Sequence, residues 1–158
     1  MHPSLFEGLW AKQRTKKGTA FEGGWIYRIS PRSTSTWYAV SESMDINPVG
    51  RDIHGKSSAY GDHIQSAGIF AASVKQALWR KVSATAWNVY TENVFNSALL
   101  QLDAGGREER WSASAMAIRQ DPAARGACAH DSLAYSPATE ESWALSGRLR
   151  NRLGRFRW

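Results

Sequence analysis

The chain has one cysteine, Cys128, in 158 residues. An internal disulfide is excluded, so packing and hydrogen bonds alone must hold the fold. No apolar run approaches the ~20 residues that a helical membrane span needs. The amino-terminal stretch also lacks the apolar core of a secretion signal. Together these absences predict an intracellular protein in a reducing compartment, with no transmembrane segment. Acid is missing from residues 142–158, which nevertheless carry Arg148, Arg150, Arg152, Arg155 and Arg157. No nucleophile–base set can be ordered along the chain. His54 and His63, with Asp52 and Asp62 beside them, match no compact metal-ligand spacing. The sequence therefore predicts no catalytic residue, no metal and no cofactor, and it leans away from an enzyme.

What is present describes a folded domain. Apolar residues make up 42% and charged residues 22%, which are globular and not disordered values. The net charge is +6, and outside residues 142–158 the chain holds 15 basic against 14 acidic groups. Positive charge is thus concentrated at the carboxyl end, with a smaller cluster of Lys12, Arg14, Lys16 and Lys17 near the other. Eight tryptophans are spread from Trp10 to Trp158. Tryptophan is favoured where a large area is buried and one polar tip must find a partner.

Hydrophobic spacing predicts an α+β fold. Residues 3–10 have the length of one helical turn, and 12–24 form a polar, glycine-rich loop. Residues 25–29 and 36–40 are rich in aromatic and β-branched side chains, which predicts a hairpin. A long loop follows over 42–61. From Asp62, the residues Ala67, Ala71, Val74, Leu78 and Val82 recur on one helical face. Residues 84–96 fit helix or strand. A second hairpin is expected around Gly105-Gly106, followed by a connector over 120–136. Leu145, Leu149, Leu153 and Phe156 form a helical stripe behind Thr139 as cap, with Glu140 and Glu141 in the first turn. That arrangement predicts a helix over 139–156. The expectation is one domain, antiparallel hairpins packed on one or two central helices. Its parts are a basic arm at 1–24, a body at 25–136 and an Arg-rich amphipathic helix at 137–158.

The function that follows is a non-enzymatic binding or assembly subunit within an oligomer or larger complex. Its basic ends would engage nucleic acid or an acidic protein surface through Lys12, Arg14, Lys16, Lys17, Arg148, Arg150, Arg152, Arg155, Arg157 and Trp158. Rings interleaved with charge at the end of the chain suit unpaired bases. One alternative is a purely structural subunit with no nucleic-acid contact.

The other alternative comes from residues 50–57. Gly50, Gly55, Lys56 and Ser57 satisfy the pattern G-x-x-x-x-G-K-S, and this stretch resembles the phosphate loop of P-loop nucleotide-binding proteins. The resemblance implies backbone N–H groups around phosphates, Lys56 on the terminal phosphates and Ser57 on magnesium. It covers this segment and the short run 99–103, whose Asp103 would take the metal. Pro48 ahead of the motif and Gly61 behind it oppose the flanking strand and helix that the motif requires.

Overall fold

A period of two, not 3.6, governs the backbone. The structure, a computed structural model, describes residues 4–32, 34–46, 50–51, 54–60, 63–105, 110–123, 133, 135 and 141–151. Its elements in chain order are β1 (Leu5–Arg14), β2 (Ala20–Ser30), β3 (Tyr38–Ala39), α1 (Val40–Asp45), β4 (Ile69–Trp79), β5 (Val82–Thr91), β6 (Phe95–Ala104), β7 (Trp111–Pro122) and β8 (Ser142–Asn151). All the strands belong to one antiparallel sheet, ordered β1-β2-β4-β5-β6-β7-β8, with β3 paired to β2 outside that path. Each strand on the path thus pairs with its neighbour in the chain, except where β3 and α1 intervene.

This overturns the helix-packed α+β expectation. The segment expected to be a basic carboxyl-terminal helix is β8, paired with β7 from Gln120↔Ser142 to Trp111↔Asn151. The expected central helix is the β4–β5 hairpin, turned at Arg80 and Lys81. The physical reason is the same in both cases. A spacing of four satisfies a helix, but it also returns a strand residue to the same face. Leu145 and Leu149 therefore lie on one side of β8, with Gly147 between them. Ala144, Ser146, Arg148 and Arg150 lie on the other. Residues 84–91 and 95–96 are strand too, in β5 and β6, with a turn at 92–94 between them. The short β1 segment is strand and not a helical turn. The hairpin around Gly105 is present as expected, joining β6 to β7, and Gly105 sits at φ 83°, where a side chain would be strained. The first expected hairpin survives as only two residue pairs between β2 and β3, Arg28↔Ala39 and Ile29↔Tyr38.

Connections differ between the two ends of the sheet. At one end the strands are joined by the short turns 15–19, 80–81 and 105–110. At the other lie the two long connections, 31–68 and 123–141, and the tight turn 92–94. Asn93 takes a positive φ of 60° in that turn, and its side-chain amide donates to the Gln65 carbonyl at 2.8 Å. Asparagine tolerates this backbone better than most residues.

Fully buried side chains are few. Among the described residues the buried apolar ones are Val40, Tyr60, Val94 and Ala123. They gather at the long-loop end, where α1 and the segment around Tyr60 fold against the sheet. The Tyr60 hydroxyl donates to the Met44 carbonyl at 2.9 Å, and its ring meets Tyr135 edge-on at 5.4 Å. The Arg51 N–H donates to the Tyr135 carbonyl at 3.2 Å, tying the two long connections together. Burial raises the Tyr135 hydroxyl pKa above the usual tyrosine value, so it stays neutral there.

Close strand approach is set by Gly24. A Cβ there would lie 2.2 Å from the Leu9 carbonyl oxygen and 2.5 Å from the Trp10 ring. Gly147, by contrast, has nothing within 4 Å of such an atom. Gly24→Ala is expected to destabilise the folded protein by about 1–3 kcal/mol through overpacking. Gly147→Ala should stay within about 0.5 kcal/mol. Urea unfolding midpoints of the two variants in the same detergent check the contrast.

Candidate functional site

Residues directly opposite in an antiparallel ladder share a face, so the registers sort the side chains into two surfaces. One surface is apolar from edge to edge. Leu100, Ala117 and Leu145 align across β6, β7 and β8, and Leu102, Ala115 and Gly147 align one step further on. Leu145 is 83% exposed, Leu149 73% and Leu9 67%, so none of the described residues covers this face there. At its long-loop end a row of rings crosses β2, β4 and β5. Trp25 stacks on Phe70 at 6.0 Å, and Phe70 on Tyr90 at 6.5 Å. The row ends near Trp143, over which the Arg119 guanidinium lies at 5.2 Å. Arg119 is held by Asp121 at 2.8 Å and Glu141 at 2.9 Å. Leu78 and Trp111 mark the opposite end. From Phe70 to Leu78 the strand rises about 26 Å at about 3.3 Å per residue.

The other surface is polar and basic. Lys12, Glu22 and Ser73 share one level on β1, β2 and β4, with Trp87 beside them on β5. Lys12 pairs with Glu22 at 2.8 Å, and the Ser73 hydroxyl donates to the same carboxylate at 3.4 Å. The next level carries Arg14, Ala20, Lys75, Thr85 and Gln101. The Gln101 amide donates to both oxygens of Asp103 at 2.9 Å. Asp103, Ser114 and Arg148 share the level beyond, and Ser112 and Arg150 the last. A groove of about 580 Å³ runs over Lys12, Arg14, Glu22, Lys75 and Trp87. Among the described residues, Arg14, Lys75, Arg148 and Arg150 make no ion pair. Four cations on one surface without salt-bridge partners produce a positive field that draws small anions.

The basic residues singled out in the sequence are therefore spread, not clustered. Lys12 and Arg14 stand on β1 and Arg148 and Arg150 on β8, at opposite edges of the sheet but on its polar face. Lys16 and Lys17 lie in the first short turn. Arg152, Arg155, Arg157 and Trp158 fall outside the described residues. Lys75, Glu22, Ser73, Thr85 and Gln101 escaped the sequence reading, and Asp103 entered it only as a metal ligand of the phosphate-loop alternative. Their signal was the alternation itself, plain in Leu100-Gln101-Leu102-Asp103 and in Ser112-Ala113-Ser114-Ala115.

Residues 50–57 do not build a phosphate loop. Arg51 and Ser57 bridge antiparallel across the segment, and the Arg51 guanidinium donates to the Ser57 hydroxyl at 2.6 Å. The Ser58 N–H donates to the Gly50 carbonyl at 3.1 Å. Among the described residues, no helix follows Lys56 and no parallel strand precedes Gly50. Asp103 faces the polar surface of β6, bonded to Gln101, and not a magnesium beside Ser57.

The paired faces match one known architecture. No family model and no curated protein matches the sequence. Among solved structures, the fold is similar to the outer membrane protein OpdK from Pseudomonas aeruginosa, at a TM-score of 0.65 and 16% identity, over 96% of this chain and 35% of that one. The likeness is one of fold, an antiparallel sheet similar to part of an outer membrane protein. OpdK with vanillate gives a TM-score of 0.65 at 15% identity, over 96% of this chain and 34% of that one. OccK2 (OpdF) of the same organism, in complex with glucuronate, gives 0.54 at 16% identity, over 92% and 34%. The chain spans about a third of the length of these proteins.

These likenesses correct four expectations. A subunit whose basic termini hold nucleic acid or an acidic partner is set aside, because the similar folds include an outer membrane protein and the described basic residues Lys12, Arg14, Arg148 and Arg150 belong to a sheet face. Nucleic acid as partner falls with it. An intracellular location loses its support, since a missing disulfide and a missing signal-like stretch say nothing against an outer-membrane fold. The absence of a transmembrane segment was inferred from helices alone. No helix among the described residues is long and apolar enough to cross a membrane, but strands cross with half their residues polar.

If the apolar face meets lipid, Leu100→Arg should cost about 2–4 kcal/mol near the bilayer midplane. Gln101→Arg, one residue away on the polar face, should stay within about 0.5 kcal/mol. Unfolding of both variants from lipid vesicles measures the difference, and equal costs would refute the assignment of faces.

Proposed function

We propose that this chain forms part of the wall of a transmembrane β-barrel in an outer membrane, whose polar face lines a water-filled path for small solutes. The observation that carries this reading is the contrast between the two faces. A soluble sheet covers its apolar side with another layer. Here that side is exposed at Leu9, Leu100, Leu145 and Leu149, while Lys12, Arg14, Glu22, Lys75, Gln101, Asp103, Arg148 and Arg150 stand on the other, beside one apolar level of Trp87, Leu99 and Ile118. Alternation of this kind is what a strand needs to meet lipid outside and water inside.

Dimensions agree with the reading. The seven strands on the sheet path are 10–12 residues long, and a spanning strand tilted at about 45° needs about 9–11. Aromatic rings sit at the ends of the apolar band, where membrane interfaces favour them. Short turns at one end and long connections at the other follow the pattern of outer-membrane barrels. A sheet crossing lipid must have its edges paired, so β1 and β8 meet other strands in the assembled barrel.

The solute class follows from the charge. Arg14, Lys75, Arg148 and Arg150 favour anions, and two of the similar structures hold vanillate and glucuronate, both carboxylates. Each cation acts by attraction and by hydrogen bonding to a passing carboxylate, without chemistry. Purified protein in planar lipid bilayers is expected to conduct with a preference for anions. The double variant Lys75→Glu, Arg148→Glu is expected to reduce or reverse that preference, read from the reversal potential in a salt gradient. Absence of conductance, or a selectivity indifferent to both charges, would sink this function.

A further inference from the structure

We infer that the long-loop end holds a second site, separate from the basic groove, which takes a small uncharged ring compound bearing one hydroxyl, of the phenol type. The site is a recess of about 170 Å³ between the sheet and the folded connection over it. Val40, Met44, Ile69, Phe95 and Tyr135 make its apolar wall. A dry apolar cavity of about 150 Å³ accommodates benzene, so the volume suits a single ring with one substituent. Among the described residues, no lysine, arginine, aspartate or glutamate lines it, which disfavours a carboxylate or an amine as occupant.

One polar group in the wall lacks a partner. Thr91 is 3% exposed, and its hydroxyl makes no hydrogen bond. Two other hydroxyls of the wall have found acceptors. Ser43 donates to the Val40 carbonyl at 2.7 Å and Tyr60 to the Met44 carbonyl at 2.9 Å. A buried hydroxyl with no partner is costly and calls for an explanation. A single water is too small for the recess, taking about 30 Å³ of liquid volume. A ring fills the apolar space and its hydroxyl meets Thr91. The neighbouring rings offer the right surfaces, since Tyr135 lies 5.9 Å from Phe95 and 5.4 Å from Tyr60.

Phenol and toluene share a shape and differ by the hydroxyl, so the pair isolates the Thr91 contact. Methyl resonances of Val40, Met44 and Ile69 are followed in the detergent-folded protein during titration with each compound, at matched free concentrations. Both compounds are expected to shift these methyls saturably, with phenol binding about 5–10-fold more tightly, as one neutral hydrogen bond provides. Thr91→Val keeps the volume and is expected to bring the two affinities to within twofold. Val40→Phe fills the recess and is expected to abolish both shifts. Absence of a saturable shift at these methyls in the native protein would mean that the recess holds water only, and the proposal would be overturned. An unchanged phenol preference in Thr91→Val would overturn it as well. The basic groove plays no part in these readings, so failure here leaves the channel function to its own test.

Discussion

Main-chain hydrogen bonds between neighbouring strands hold this molecule together, because the side chains on either face have little to pack against. Seven strands lie edge to edge, and each interior ladder satisfies the donors and acceptors of two neighbours at once. In water such a sheet would be a poor protein, since its apolar face buries nothing and gains nothing from the hydrophobic effect. In lipid the same face is already in its preferred surroundings, and an unpaired backbone group becomes the severe cost. The ladder therefore both builds the sheet and makes it suitable for a membrane. The small side chains follow from this. Alanine and glycine on β2, β4 and β7 let neighbouring strands and rings approach, and no dense core asks for anything larger.

The two ends of the sheet divide the work. Short connections close one end, the shortest of them the two-residue turn at Arg80 and Lys81. The opposite end holds nearly all the buried apolar side chains, supplied by connections and not by strands. Val40 and Tyr60 sit there beneath α1 and the bridged loop, and Val94 and Ala123 lie close by, joined by the hydrogen bond from the Ala123 N–H to the Val94 carbonyl at 3.0 Å. The chain thus carries a small water-soluble style of core at one end of a sheet that otherwise has none. Ordinary packing rules apply to that cap, and on the proposed reading membrane rules apply to the strands below it.

This division explains how much could be read from the sequence. The hairpin at Gly105 was legible, because a glycine pair between alternating strands is a local signal. β8 was not, because Leu145 and Leu149 are four apart and a spacing of four belongs to both periods. Thr139, Glu140 and Glu141 supplied helix-start chemistry at the same place and strengthened the wrong choice. The strand from Ile69 to Trp79 hid for the same reason, its alanines and Val74 passing for a helical stripe. Spanning strands are also individually weak signals, since half of each is polar by design. The basic residues Lys12, Arg14, Arg148 and Arg150 were noticed for their charge, but their meaning depended on the face they share. Lys75 had no such prominence, Asp103 was noticed only as a candidate metal ligand, and only the register brings them to that surface.

The strand count carries a consequence of its own. With seven strands in an antiparallel meander, β1 and β8 point the same way, each running from the long-loop end towards the short turns. A ring is therefore never closed by joining these two edges in antiparallel fashion. Any segment completing an all-antiparallel cylinder must add an odd number of strands, and both of its outermost strands must climb from the short turns towards the long loops. Addition of an even number leaves one seam of parallel strands, with slanted and slightly weaker hydrogen bonds. The direction of two edge strands thus constrains the parity of whatever stands beside them.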